Sequence, residues 1–242
     1  MKSRRLTETD IVNLAFKPVE TKLARLTNIE RPKQIIGSYE PFRRSNADAV
    51  NLQLPLIAEA QDATSLEMLE AVVAKACKGN EDLLAMNLPI ARSTHSFAME
   101  NKIVAFREDV RHLILPFGHA YEFGMPLLMA YPNGKIVAAF PDLRRTDPLT
   151  GIGRRTALSF MHQRWKENNP DLSRLGLQIW RYKNTVAREI EVFECSETDL
   201  FTYDEIIADV RQTYEIWHEV LASAAKGRRG ETMGPGPLFG TA

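Results

Sequence analysis

Two apolar runs joined at Asn133-Gly134 constrain the fold more than any other part of the sequence. The first run covers residues 121–131 and the second covers residues 135–140. An Asn-Gly pair readily adopts the positive backbone angles of a tight hairpin turn, so apolar runs on both sides of it are typical of paired antiparallel strands. The sequence therefore predicts a β-hairpin here, and other elements must cover its apolar face.

Three helices are predicted to pack on this sheet. Thr64 and Thr202 each precede a glutamate at the capping-box spacing, and a third helix opens near Gly151. Gly227 is predicted to end the helix that follows Thr202. This helix carries one continuous apolar stripe, formed by Tyr203, Ile207, Val210, Tyr214, Trp217, Leu221 and Ala224.

Further apolar runs predict more strands. They cover residues 51–57, 103–106, 113–116, 175–182 and 188–193, and the last two are close enough to form a second hairpin. Pro55 favours an edge position for residues 51–57, because proline cannot donate to a strand ladder. Residues 81–86 predict a short turn of helix, and residues 88–99 give no clear signal. The prediction is a single α+β domain with a mixed, largely antiparallel sheet of about five to seven strands.

The chain divides by composition into three segments. Residues 1–30 are predicted to form a helical N-terminal arm, which Pro18 interrupts. Residues 31–226 are predicted to form the α+β core domain. Residues 227–242 are rich in glycine and proline and are predicted to be disordered.

Charge and cysteine content exclude several classes of function. Lys plus Arg and Asp plus Glu both number 31, so the net charge gives no general argument for binding nucleic acid or anionic membranes. The two cysteines do not form a CxxC pair, and the five histidines form no metal-binding spacing. No signal peptide or membrane-spanning run is present. These features predict a cytoplasmic protein without membrane association, metal or cofactor.

A basic stripe on the Gly151 helix is the first candidate site. Its residues are spaced by four, three and four positions, and therefore share one helix face. Two glycines at the helix start allow backbone amides to approach an anion. A solvated helix face is the alternative interpretation. The predicted phosphate- or anion-binding residues are Arg144, Arg145, Arg155, Ser159, His162 and Lys166.

Acid–base chemistry has three weak candidates, Asp142, His162 and His119. They are separated in sequence and would form a site only if the fold brings them together. Ordinary hydrogen-bonded or surface histidines are the alternative. Arg164, in contrast, falls on the apolar side of its helix. A buried guanidinium needs an acidic partner or must extend to solvent, and Asp142, Asp147 and Asp171 are the candidate partners.

Pro141-Asp142, at the end of an apolar strand, resembles the first half of the PD-(D/E)xK nuclease motif. That family holds a metal with this aspartate and a Glu-x-Lys triplet on the next strand. Here the triplets Glu20-Thr21-Lys22 and Glu100-Asn101-Lys102 both precede Asp142, and the next predicted strand carries Gln178. The sequence therefore departs from the motif after Asp142, and it leaves both an active nuclease of this type and an inactive relative of the fold as alternatives.

The segment Pro237-Leu238-Phe239-Gly240 resembles the second half of the short peptides that bind bacterial sliding clamps. Those peptides pair an upstream glutamine with a terminal aliphatic-aromatic unit, and the tail has no such glutamine. Leu238 and Phe239 are therefore a candidate anchor for a protein partner. No resemblance to a known family extends over a substantial length of the chain.

Three hypotheses of function follow. The leading one is a non-catalytic, nucleic-acid-associated accessory protein that contacts phosphates through the basic helix face. The second is an enzyme for a small anionic substrate, with its site at the Asp142–Arg155 turn. The third is a homo-oligomeric scaffold or interaction protein, which would expose Tyr203, Tyr214 and Trp217 in an isolated protomer.

Overall fold

The computed structural model describes residues 4–30, 38–53, 63–108, 110–167, 169–194 and 196–232. These ranges contain seven α-helices and seven β-strands. The helices are α1 Glu8–Leu14, α2 Val19–Glu30, α3 Glu40–Ala49, α4 Leu66–Cys77, α5 Glu81–Glu100, α6 Gly151–Trp165 and α7 Tyr203–Thr232. The strands are β1 Val104–Arg107, β2 Leu113–Leu115, β3 His119–Tyr121, β4 Leu127–Ala130, β5 Ile136–Asp142, β6 Gly176–Tyr182 and β7 Ile190–Phe193.

Five strands form one mixed sheet in the order β1-β4-β5-β6-β7, and β2 pairs with β3 in a separate small sheet. β5 and β6 are parallel, whereas the other neighbouring strands are antiparallel. Parallel strands need a long crossover connection, which here contains α6. The predicted single α+β domain with a mixed, largely antiparallel sheet is confirmed, and β6 and β7 form the predicted second hairpin.

β4 and β5 form the hairpin predicted at Asn133-Gly134. Tyr131 N donates to Lys135 O over 2.9 Å, and Gly134 has a φ of +81°. The first strand is shorter than predicted, since it begins only at residue 127. Gly124, with a φ of +103°, and Pro126, which has no N–H, interrupt the apolar run. Tyr121, the first residue of the predicted run, belongs to β3 of the small sheet.

The large sheet has a hydrophobic core on each face. Ala138 and Phe140 of β5 belong to the core that includes α1, α6 and α7, whereas Val137 and Ala139 belong to the core that includes α3, α4 and α5. Successive side chains of a strand point to opposite faces, so β5 contributes to both cores. Because helices lie on both sides, the central strands are almost completely buried.

Two helices differ from their predictions. α5 is one helix of 20 residues that continues through Pro89, although the sequence predicted only a short turn at residues 81–86. Residues such as Ile90 and Ala91 are fully buried against the core, and this packing outweighs the backbone hydrogen bond lost at proline. α7 continues past Gly227 to Thr232, so its predicted end is wrong. A glycine lowers helix propensity by about 1 kcal/mol and does not by itself end a helix.

Some predicted segments lie partly outside the described ranges. In the predicted strand over residues 51–57, Leu52 forms an isolated parallel bridge with Ala105 of β1, while residues 54–57 lie outside the described residues. Residues 233–242, including Leu238 and Phe239, also lie outside them. The predicted boundaries of the arm, the core and the tail stay predictions. None of the described helices is long and apolar enough to cross a membrane.

Three aromatic side chains fasten the N-terminal segment to the body of the protein. The Tyr214 hydroxyl accepts a hydrogen bond from Leu6 N at 3.3 Å, and the Tyr121 hydroxyl donates to Leu6 O at 3.0 Å. Trp217 Nε1 donates to Arg4 O at 2.7 Å, and the two tyrosine hydroxyls bind each other. We call these contacts the N-terminal latch. The two hydrogen bonds to Leu6 satisfy buried backbone groups.

Two of the latch residues lie on the apolar stripe of α7, so their burial determines how much of that stripe is exposed. Tyr214 and Trp217 are fully buried, and Tyr203 is 40 % exposed. The apolar patch that a scaffold would expose on these three residues is therefore absent from the described part of α7. Lys22 of α2 adds a second attachment, since its buried ammonium donates to Asp209 at 2.6 Å and to Gln212 at 3.0 Å.

Removing the Tyr214 hydroxyl tests the latch. We expect Tyr214→Phe to lower the free energy of unfolding by about 1–3 kcal/mol, because the Leu6 amide loses its buried acceptor. Urea denaturation followed by circular dichroism measures the change. Tyr203→Phe is the matched control, and it should change stability by less than about 0.5 kcal/mol. Equal effects of the two substitutions would contradict this role for Tyr214.

The buried tyrosines also predict the response to alkaline pH. Burial raises the pKa of Tyr121, Tyr182 and Tyr214 in the folded protein. An unfolded tyrosine ionises near pH 10, so these phenols contribute stability below about pH 10 that is lost as the pH rises further. We expect their tyrosinate absorbance to appear together with the loss of circular dichroism. Complete tyrosine ionisation in a protein that keeps its native spectrum would contradict this expectation.

Candidate functional site

The predicted basic face of α6 is covered by the segment that precedes α7. Ser159 is fully buried, and its hydroxyl accepts a hydrogen bond from Phe201 N at 2.9 Å. The same hydroxyl donates to Arg155 O at 2.8 Å, so its hydrogen-bonding capacity is used inside the protein. This face therefore packs against the protein rather than lying open to solvent.

The two longer cations on this face also bind protein groups. The Arg155 guanidinium lies 3.8 Å from the centre of the Phe201 ring. Lys166 Nζ donates to Leu175 O at 3.3 Å and forms an ion pair with Glu197. Hydrogen bonding to Lys166 lowers the pKa of the Glu197 carboxyl below its ordinary value. Both side chains therefore join α6 to neighbouring segments, as cation–π and ion-pair contacts commonly do.

Asp142 organises the turn that enters α6. Its carboxylate is 1 % exposed, and its two oxygens accept hydrogen bonds from Arg144 Nε at 3.1 Å and from Leu149 N at 2.9 Å. Arg181 approaches the same carboxylate at 3.7 Å. Arg145 is exposed nearby. No contact between described residues joins Asp142 and its neighbouring arginines to the covered face of α6. An anion-binding role for the six predicted residues stays a prediction.

The three acid–base candidates lie in separate environments. His119 stacks near Tyr214, with ring centres 5.5 Å apart, and burial and the charge of Arg5 lower the pKa of this histidine. His162 Nδ1 lies 3.6 Å from a carboxylate oxygen of Glu167. Asp142 binds arginines, as described above. No contact between described residues brings any two of the three candidates together, and a catalytic role for them stays a prediction.

The aspartate that resembled a nuclease ligand has no acidic neighbour on the adjacent strand. β6 runs parallel to β5, and Arg181 pairs with Asp142 in the register. Gln178 instead donates to Glu194 at 2.6 Å and accepts from the Trp180 indole at 2.9 Å. Among the described residues, no group of three or more His, Cys, Asp or Glu side chains is arranged to hold a metal ion.

Arg164 is buried, as its position on the helix wheel predicted, but its predicted acidic partners are wrong. It is 7 % exposed and donates through Nη1 and Nη2 to the backbone carbonyls of Glu122 and Val110. Asp147 binds Arg25 instead, with a shortest distance of 2.7 Å. Main-chain carbonyls accept from two of the three guanidinium nitrogens, and a sequence pattern does not show which carbonyls will lie nearby.

The sequence of this chain is similar to that of a known protein. A protein named DNA replication inhibitor toxin SocB, from Caulobacter vibrioides (strain NA1000 / CB15N), is 28% identical over 223 residues. The alignment covers 91% of this chain and 92% of that protein. No solved structure matches the chain. The similarity therefore extends over nearly the whole length of both proteins.

The family described as "Sliding clamp-binding bacterial toxin SocB" matches residues 9–227. By that description the family binds a protein, the sliding clamp, and the related protein is named as an inhibitor of DNA replication. The leading hypothesis of a non-catalytic, nucleic-acid-associated accessory protein is therefore wrong. It relied on a helix face that the fold covers. Because the family match includes most of its length, this chain belongs to the SocB family of sliding clamp-binding bacterial toxins.

Proposed function

We propose that this chain is a toxin that inhibits DNA replication by binding the bacterial sliding clamp. The observation that carries the proposal is the family match over residues 9–227. Binding to a protein partner requires no catalytic group. The cytoplasmic location predicted from sequence belongs to this proposal, because a clamp-binding protein must share the compartment of the clamp.

We further propose that the segment Gln53-Leu54-Pro55-Leu56-Ile57 binds the clamp. Clamp-binding peptides pair an upstream glutamine with a terminal aliphatic-aromatic unit, and this segment has Gln53 followed by Leu56 and Ile57. Ile57 replaces the aromatic residue of the pattern. An extended peptide of this kind places alternate apolar side chains in pockets of its partner. The same alternation is typical of a β-strand, which explains the strand predicted here.

The fold supports a surface position for the start of this segment. Residues 51–53 run along β1, which is an edge strand of the large sheet. Gln53 N donates to Ala105 O at 2.9 Å, and Ala105 N donates to Asn51 O at 3.1 Å. These backbone hydrogen bonds attach the residue that leads the segment to a rigid sheet. Gln53 itself is partly exposed.

The tail residues Leu238 and Phe239 are the alternative anchor. They supply an aliphatic-aromatic unit but lack the glutamine, and they lie outside the residues that the family matches. The segment at residues 53–57 has the glutamine and lies inside the matched range. We therefore favour residues 53–57 as the clamp-binding segment. The experiment must test the tail as the alternative segment.

Occupation of a peptide-binding surface also supplies a mechanism of inhibition. We propose that the bound toxin covers a surface of the clamp that other proteins use, and so excludes them from it. Such competition depends on the concentrations and affinities of the competitors rather than on turnover. A toxin of this kind therefore needs no substrate and no cofactor.

Substitution of the glutamine and the two apolar anchors tests whether residues 53–57 bind the clamp. We expect the triple variant Gln53→Ala, Leu56→Ala and Ile57→Ala to bind a purified bacterial sliding clamp at least about 30-fold more weakly than the unsubstituted chain. Loss of a few central anchors commonly removes about 2 kcal/mol or more of binding free energy. Isothermal titration calorimetry measures the affinity, and circular dichroism checks the fold.

The pair Leu238→Ala and Phe239→Ala is the matched control for that experiment. Its affinity for the clamp should equal that of the unsubstituted chain. Loss of binding in this tail variant, with binding retained by the triple variant, would move the site to the tail. Failure of the unsubstituted chain to bind the clamp would reject the proposed function itself.

The inhibitory activity is tested in cells. Induced expression of the unsubstituted chain in a bacterium should stop incorporation of labelled thymidine, because the clamp surface becomes occupied. The triple variant, at equal protein abundance, should leave incorporation near the level of cells with an empty vector. Arrest by both proteins at equal abundance would show that inhibition does not depend on residues 53–57.

A further inference from the structure

A surface cavity of about 590 Å³ lies between the loop before β2 and the C-terminal part of α6. Arg111, His112 and Arg164 contribute basic side chains to its lining, and Gln163 and Asn169 contribute amides. The described residues that line it include no carboxylate. A concave site with several basic groups raises the local concentration of anions. This cavity lies on the same helix as the covered basic face, but it uses different residues.

Arg164 is the most unusual group in this cavity. Its side chain is more than nine-tenths buried, yet none of the described residues accepts a hydrogen bond from its Nε–H. The other guanidinium nitrogens donate to carbonyls of Glu122 and Val110, which satisfy donors without neutralising the charge. The guanidinium carbon also lies 4.9 Å from the centre of the Trp165 ring.

No carboxylate of the described residues lies within ion-pair distance of Arg164. Glu122 and Glu8 act on it only at longer range, and the Glu122 carboxylate binds His112 Nε2 at 2.8 Å. Burial is the main cause that lowers the pKa of Arg164 below its ordinary value. A buried charge without an ionic partner is unfavourable, and an anion from solution would remove that cost.

We propose that this cavity binds a small oxyanion, a carboxylate or phosphate group, with Arg164 as its buried contact and Arg111 and His112 at its rim. Arg164 lines the cavity, its Nε–H has no acceptor among the described residues, and a guanidinium suits the geometry of both a planar carboxylate and a tetrahedral phosphate. The side-chain amides of Gln163 and Asn169 offer additional donors. This site is separate from the proposed clamp-binding segment and does not depend on the proposed function.

Titration with two simple probes tests the site. The full chain is titrated with inorganic phosphate and, separately, with succinate, while the ¹H–¹⁵N signals of arginine Nε–H groups are recorded. We expect saturable binding that shifts the Arg164 signal. Binding of both probes in competition identifies a general oxyanion site, and binding of one identifies phosphate or carboxylate as its ligand class. An unmoved Arg164 signal with both probes, in folded protein, would overturn the proposal.

Variants at the rim avoid disturbing the buried contacts of Arg164. Arg111 is exposed, so Arg111→Gln should fold normally and bind the successful probe about tenfold more weakly, as expected for loss of one charged contact. Arg107→Gln, an exposed arginine outside the cavity lining, is the matched control and should bind as the unsubstituted chain does. Equal affinities of the two variants would overturn the assigned site.

The carboxylate of Asp109 is the alternative occupant of the cavity. It neighbours the cavity in sequence and lies outside the described residues. Saturable binding by Asp109→Asn together with no binding by the unsubstituted chain would show that an internal carboxylate occupies the site, which overturns the proposal. Clamp affinity is measured on Arg111→Gln in parallel. We expect it to be unchanged, so failure of the anion site and failure of the clamp proposal are distinguishable.

Discussion

The hydrogen bonds of the N-terminal latch hold the two most distant parts of the described chain together. Leu6 binds a tyrosine on α7 that is 208 positions away in sequence, and Arg4 binds a tryptophan that is 213 positions away. The latch fixes α7 against the core that α1 and α6 share. The segment before α7 in turn covers the basic face of α6. The latch and the cover over α6 thus involve α7 and the segment directly before it.

Buried cations recur in this fold, and their partners differ. Lys22 has an ionic partner, Asp209. Arg188 is fully buried, with a φ of +57°, and donates to Leu143 O, while its Nε and Nη1 have no acceptor among the described residues. Arg164 resembles Arg188 in relying on carbonyls but opens onto a cavity. Desolvation is the common cost, and access to an external anion distinguishes Arg164.

Local patterns predicted much of the fold, because hairpin turns and helix caps depend on nearby residues. The Asn133-Gly134 turn and the capping box at Thr202 and Glu205 both formed as the sequence indicated. The candidate site was harder to predict, because the exposure of a side chain depends on segments that are distant in sequence. Spacing placed Ser159 on a basic face correctly but could not show that Phe201 would cover it. Alternation over residues 51–57 was ambiguous, since strands and pocket-filling peptides share a period of two.

The latch has a consequence for the order in which the protein folds. Residues 4–6 are made early, but Tyr214 and Trp217, two of the three side chains that hold them, are made more than 200 residues later. The core containing α1 and α6 therefore stays incomplete during most of translation, and its apolar surface is available to chaperones or to aggregation. Contacts this distant in sequence also slow the search for the native state. The described fold is thus complete only after α7 has been synthesised and docked.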